Sequence, residues 1–395
     1  MIKPNQIFYL IIACFLVSAC GKVERLTLVT SLFSGAEQYE NFNRIDDIFP
    51  VNYLTPAEEI LILEEGEPIE LPESFNYFDQ KINTQDFLVK TDTAALLILK
   101  DGRIAYEEYW LTGGKEQQWI SMSVAKSFIS ALVGIAIEEG YISSIEDAVT
   151  KYVPSLIGSS YDGVRIKDIL QMSSGSAWNE DYSDRNSDIN RQGRIFALGG
   201  SYDEFAATLE KGFEPGTYNQ YNSNDTQVLG MLIRDATGTS ITDYMTRKLW
   251  HPMGAESESF WILDSDSMEM AFAGLNATAR DYAKFGELYR LGGKLKGKQI
   301  VPNQWVKDSI TPDGPHMMPG DNPLSDFPFG YGYQWWVPDL SGDFTALGVY
   351  NQMIYVSPAS DMVIVKLSAN SVYGTEAPSW DEFETITLFK EIIKH

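Results

Sequence analysis

Ser123 and Lys126 form the single S-x-x-K in this sequence, and a serine beside an amine is one route to an activated hydroxyl. A serine hydroxyl is not ionised at neutral pH, so a nucleophilic serine needs an adjacent base. A partly buried lysine with a lowered pKa can be that base. Residues three apart on a helix share a face, so the two groups can meet. The following run predicts a helix: Ala125, Phe128, Ile129, Leu132, Val133 and Ile135 recur at spacings of three and four, and Gly140 is a stop signal. Ser123 is expected in the first turn, where unpaired N–H groups and the positive helix end would face a developing oxyanion. Taken alone, the spacing also fits a surface helix with a solvated lysine.

Other routes to catalysis are thinly supplied. The chain has three histidines, His251, His316 and His395, and two cysteines, Cys14 and Cys20. No zinc pattern and no G-x-S-x-G occurs. A Ser-His-Asp triad would have to recruit His251 or His316, and neither has a catalytic context. No cofactor or metal is expected. A net charge of −25 excludes a nucleic-acid partner, since no basic patch could outweigh that field. An apolar content of 44% over 395 residues is enough for a full-sized core.

The chain begins with Lys3, an apolar run over 7–17, and Ser18-Ala19-Cys20-Gly21. That run is too short to span a bilayer and reads as a secretory leader over 1–19. Leu16-Val17-Ser18-Ala19-Cys20 resembles a bacterial lipobox, which makes Cys20 a candidate lipidation site. The resemblance implies a cell-envelope protein held at a membrane by its N-terminal lipid, with Gly21 pointing to the periplasmic face of the outer membrane. With both cysteines in the leader, the mature domain has no intramolecular disulfide despite that destination.

Residues 20–90 are acidic and irregular, punctuated by Pro50, Pro56, Pro68 and Pro72, and read as a tether and N-terminal extension. The main domain is placed at 91–395. It opens with a hairpin, residues 93–100 and 103–110, around Asp101-Gly102. From about 140 to 290 the periodicity is helical, over 144–152, 166–172, 202–211, 226–236, 241–249 and 279–291, with Thr278 an N-cap candidate for the last. The polar stretch 179–194 could cover a site. Strands return at 331–337, 353–356 and 362–367, and residues 380–393 form a closing amphipathic helix. Strands at both ends imply an α/β fold, an antiparallel sheet built from both termini and flanked by helices, with an inserted helical subdomain.

In this order the motifs resemble the serine β-lactamase and penicillin-binding-protein superfamily, in particular class C β-lactamase-like serine hydrolases. Besides the S-x-x-K, the resemblance is carried by Ile166 to Gly175 (IKDILQMSSG), then Pro215-Gly216-Thr217, Tyr221-Asn222-Ser223 and Leu229-Gly230. Later landmarks are 278–286 (TARDYAKFG), 297–302 (GKQIVP) and 331–336 (YGYQWW). The resemblance implies a β-lactamase/transpeptidase-like fold, Ser123 as nucleophile, Lys126 as its proton acceptor and Tyr221 as a base and proton relay. Beside a protonated lysine, the Tyr221 pKa is expected to fall.

Two departures narrow the reading. The family's Y-x-N is here Tyr221-Asn222-Ser223, which resembles the 6-aminohexanoate-dimer hydrolase branch and makes Ser223 a substrate-binding candidate. The family's K-T-G strand reads Ala346-Leu347-Gly348, so the cation that would hold a substrate carboxylate is missing. Gly348 is kept, and the N–H of Val349 is expected to be the second oxyanion donor. Tyr182 is a candidate cover for the substrate, or an ordinary loop tyrosine. The expected function is hydrolysis of an ester or small amide through an acyl-enzyme on Ser123. Its rivals are a D-alanyl-D-alanine carboxypeptidase or β-lactamase, and a non-catalytic envelope binding protein.

Overall fold

The computed structural model describes residues 38–111, 114–373 and 381–394; the leader and Cys20 lie outside them. At its centre is a seven-stranded antiparallel sheet. In chain order its strands are β1 (Thr93–Lys100), β2 (Arg103–Tyr109), β3 (Gly330–Tyr331), β4 (Trp336–Val337), β5 (Phe344–Gly348), β6 (Gln352–Ser357) and β7 (Met362–Ser368). Their spatial order is β3-β4-β5-β6-β7-β1-β2. Asp101 and Gly102 both take positive φ, 51° and 74°, the geometry of a tight hairpin turn whose twist matches its strands. β7 pairs with β1, Val363 opposite Leu99 and Val365 opposite Leu97, so the two ends of the domain close one sheet.

Strand period two divides the side chains between two cores. Leu97, Leu99, Ile354, Val356, Val363 and Val365 enter one, which Phe285 and Leu288 complete from helix α4 (Ala279–Arg290). Leu96, Ile98, Met353, Tyr355 and Ile364 enter the other, under Ile386, Phe389 and Ile392 of α5 (Asp381–Lys394). Both faces are covered, which is why β1 and β7 read as continuous apolar runs. At Gly286 a Cβ would lie 2.5 Å from Val363 Cγ1 and 2.8 Å from Ile354 Cγ2, so α4 reaches the sheet only because that residue has no side chain.

Between β2 and β3 lie α1 (Ala125–Glu138), α2 (Asp188–Leu198) and α3 (Ser223–Thr237). The block also holds strands: Trp119–Ile120, Leu275–Ala277 and Ser259–Ile262 form a second sheet with Val51–Leu54. The stretch expected to be irregular before residue 90 therefore supplies an ordered strand. It also carries a hairpin, Ser74–Tyr77 with Gln80–Asn83, and a helix, Thr84–Lys90. The apolar periodicity over 144–152 yields only a short 3-10 turn, Val149–Lys151. There the backbone takes a tertiary partner instead of a helical one, Val149 N–H donating to Val164 O at 2.8 Å. The 331–337 strand is broken at Gln334, whose φ is 62° and whose side chain accepts from Thr226 Oγ1 at 2.6 Å and donates to Leu170 O at 2.9 Å. Among the described residues no helix is long and apolar enough to cross a membrane.

Candidate active site

Ser123 is placed by the second sheet as much as by its own helix. Trp119–Ile120 pairs with Leu275–Ala277, and Ser121 N–H continues the ladder to Leu275 O at 2.8 Å. The chain then turns sharply through Met122, at φ 46°, into a 3-10 turn, Met122–Val124, and α1 begins at Ala125. Ser123 thus precedes the α-helix rather than sitting in its first turn; the left-handed Met122 delays the helical register. From the other side comes the end of β5. A Cβ on Gly348 would lie 2.7 Å from Ser121 O and 3.0 Å from Ser123 N. Only glycine lets that strand close on the serine.

Lys126 is 2% exposed. Its Nζ lies 2.8 Å from Ser123 Oγ, 3.2 Å from Ser223 Oγ and 2.9 Å from Phe272 O. Burial lowers its pKa to about 7, against the opposing influence of the Glu180 carboxylate. Tyr221 stacks on Trp336 at 5.2 Å between ring centroids, and Lys126 Nζ sits 5.1 Å from the centre of its ring. Burial, then the charge of Glu180, raises the Tyr221 pKa, while hydrogen bonding with Ser123 opposes the rise. The expected fall in the phenol pKa is therefore reversed. Desolvation acts on tyrosinate and ammonium alike, and here it neutralises the lysine first.

Ser223 opens α3 behind the Asn222 N-cap. Its N–H donates to Glu180 Oε2 at 3.0 Å and its hydroxyl to Glu180 Oε1 at 2.6 Å. Trp178 Nε1 and the Tyr182 hydroxyl also donate to this carboxylate. Glu180 was not among the residues singled out from the sequence, although it lies in the polar stretch 179–194. The available signal was Ser223 itself: a buried hydroxyl beside an amine must give its proton to some acceptor. Tyr182 is 51% exposed and lines the same cavities as Ser123. The second half of the stretch is α2 rather than loop.

Two cavities, about 300 Å³ and about 320 Å³, meet at Ser123, Tyr182 and Val349. The first is walled by Tyr221, Trp336 and Leu347 and carries Glu180, Asp326 and Glu382. The second is lined mainly by apolar groups, among them Ile120, Ile189, Phe196, Met270 and Phe272. Ala346 faces the core, while Leu347 and Gly348 reach the first cavity. No lysine, arginine or histidine is among the described residues lining either. His251 contacts Thr55 instead, and His316 lies near Asp313 and Lys167. Cys20 falls outside the described residues. Among those residues no group of three His, Cys, Asp or Glu could hold a metal.

A buried serine–lysine pair at the head of a helix, closed by a glycine at the end of an antiparallel strand, defines a hydrolase of the β-lactamase superfamily. The chain belongs to that family: the model described as Beta-lactamase matches residues 83–388. It is 29% identical over 343 residues to the 6-aminohexanoate-dimer hydrolase of Paenarthrobacter ureafaciens, covering 83% of this chain and 84% of that protein. A Bacillus anthracis structure provisionally described as a 6-aminohexanoate-dimer hydrolase superimposes with a TM-score of 0.82 at 22% identity, over 92% of this chain and 95% of its own. The hydrolase EstCE1, described as having promiscuous acyltransferase activity, gives 0.61 at 16% identity over 78% of this chain and 96% of its own. The fold is the α/β architecture expected from the sequence.

Proposed function

We propose that the protein is a serine hydrolase that forms an acyl-enzyme on Ser123 and cleaves neutral esters or small amides. The observation that carries this reading is the 2.8 Å contact of Lys126 Nζ with Ser123 Oγ at a lysine whose pKa is lowered to about 7. An ordinary lysine, with a pKa near 10.4, is neutral in only about one molecule per few thousand at pH 7; burial makes the neutral form of this one far more abundant. Neutral Lys126 takes the Ser123 proton as Oγ bonds to the substrate carbonyl carbon. The oxyanion is held by the N–H groups of Ser123 and Val349. Tyr221, a neutral phenol, passes its proton to the leaving group and recovers one from Lys126. The acyl–oxygen or acyl–nitrogen bond then breaks. Water repeats the sequence on the acyl-enzyme, releasing the acid and restoring Ser123.

Substrate charge follows from the lining. A carboxylate brought into the first cavity would lose its hydration without meeting a cation, and would face Glu180, Asp326 and Glu382. This disfavours β-lactams and acyl-D-Ala-D-Ala peptides as substrates. The 29% identity to the 6-aminohexanoate-dimer hydrolase separately supports small amides as substrates. A silent binding protein has no chemical need of the Ser123, Lys126 and Tyr221 set. The lipobox-like leader extends the proposal to a lipid-anchored envelope enzyme. The test is a side-by-side kcat/KM measurement: p-nitrophenyl acetate or butyrate should exceed nitrocefin and an acyl-D-Ala-D-Ala peptide by at least about tenfold. Nitrocefin as the better substrate would overturn the reading.

A further inference from the structure

Neutral Lys126 has one lone pair and two N–H bonds, and three oxygens lie around its nitrogen: Ser123 Oγ, Ser223 Oγ and Phe272 O. To act as a base it must direct the lone pair at Ser123 and both N–H bonds at the other two. The Phe272 carbonyl can only accept. Ser223 could do either, since a hydroxyl both donates and accepts. If Ser223 gave its proton to Lys126, the lone pair would be consumed there and the base lost. What decides this is Glu180. Its carboxylate accepts the Ser223 hydroxyl proton at 2.6 Å and the Ser223 N–H at 3.0 Å, a two-point grip on the first residue of α3. We propose that Glu180 is a positioning residue that acts through Ser223: by holding the Ser223 proton it fixes that oxygen as an acceptor and so aims the Lys126 lone pair at Ser123. The inference rests on the acyl-enzyme reading above.

The same carboxylate also acts through space. It is the charged group that offsets burial at Lys126. Asp326 and Glu382 line the same cavity, Asp326 accepting from Tyr221 N–H, but neither is among the charges that act on Lys126; the buried Asp225 accepts from Tyr161 and Ser174, and burial raises its carboxyl pKa to about 8. Glu180→Gln keeps the shape, but its amide nitrogen turns one of the two gripping oxygens into a donor. Removing the charge that favours ammonium moves the Lys126 titration to lower pH.

The experiment compares Glu180→Gln, Ser223→Ala and the double variant with wild type, with folding followed by thermal melting. Each single variant should lose about tenfold or more in kcat with little change in KM, on the scale of a displaced general base. In Glu180→Gln the acid limb of kcat/KM should also move to lower pH, which a merely structural loss would not cause. At a pH above the acid limb, where the through-space effect on Lys126 no longer counts, the double variant should be no worse than Ser223→Ala, because the two residues act in series. Wild-type kcat with an unmoved acid limb in Glu180→Gln would overturn the inference, as would losses that multiply. A folded Ser123→Ala that retained activity would instead overturn the underlying reading, so the two failures are distinguishable.

Discussion

In the proposed mechanism Lys126 serves as the base because it is buried. Burial takes its amine out of bulk solvent, which would favour the ammonium form, and three oxygens can satisfy either protonation state, so desolvation controls the balance. Since Lys126 must be neutral to accept the Ser123 proton, activity should fall as pH drops through about 7, the value set by its burial. Measured as kcat/KM against pH, the acid limb should have a midpoint near 7; a midpoint near that of an ordinary carboxylate would assign the base elsewhere. Ser123→Ala and Lys126→Ala should each reduce turnover by roughly 10²-fold or more. Tyr221→Phe should also reduce it severely, and double variants should not multiply the losses. At this scale the sequence disclosed the Ser123–Lys126 contact, because an i, i+3 pair is local. Glu180 escaped it because its partner, Ser223, is 43 residues away and only the folded chain brings them together. The direction of the Tyr221 shift was also hidden, since it depends on burial that no spacing reports.

Elements meet at the site from three directions. The second sheet delivers Ser121 and Met122, β5 delivers Gly348 and Val349, and the head of α3 delivers Tyr221 and Ser223. The tightest junction is Gly348 against Ser121 and Ser123. Gly348→Ala should push β5 away from the nucleophile turn, lowering kcat by about tenfold while costing about 1–3 kcal/mol of stability, the usual range for overpacking. Steady-state kinetics beside a denaturant melt measures both; an alanine variant with wild-type kcat would mean that the strand end does not position the oxyanion donors. The β1–β2 hairpin was legible because Asp101-Gly102 dictates its turn, and α4 because Thr278 caps it, accepting from Asp281 N–H at 3.3 Å. The 144–152 segment was misleading because its apolar spacing serves packing while its backbone bonds to Val164. Val51–Leu54 was illegible for the converse reason: its partner, Ser259–Ile262, lies two hundred residues away, roughly, and no local pattern announces it.

At the scale of the whole molecule, charge and placement govern what reaches Ser123. A net charge of −25 repels anions at long range, and the acidic cavity repeats that preference at contact distance. Residues 16–20 carry the separate proposal that the protein is lipid-anchored; one lipidated N-terminus with several acyl chains suffices for stable anchoring. Metabolic labelling with a fatty-acid analogue should tag the wild type and leave Cys20→Ser untagged, and equal labelling of both would remove the anchor. Everything else depends on one covalent bond. The most direct test treats the purified protein with a labelled fluorophosphonate and locates the adduct by peptide mass spectrometry. The expected result is a single adduct on the peptide bearing Ser123, absent in Ser123→Ala and strongly reduced in Lys126→Ala. An adduct on another serine, or one that persists in Ser123→Ala, would contradict the account.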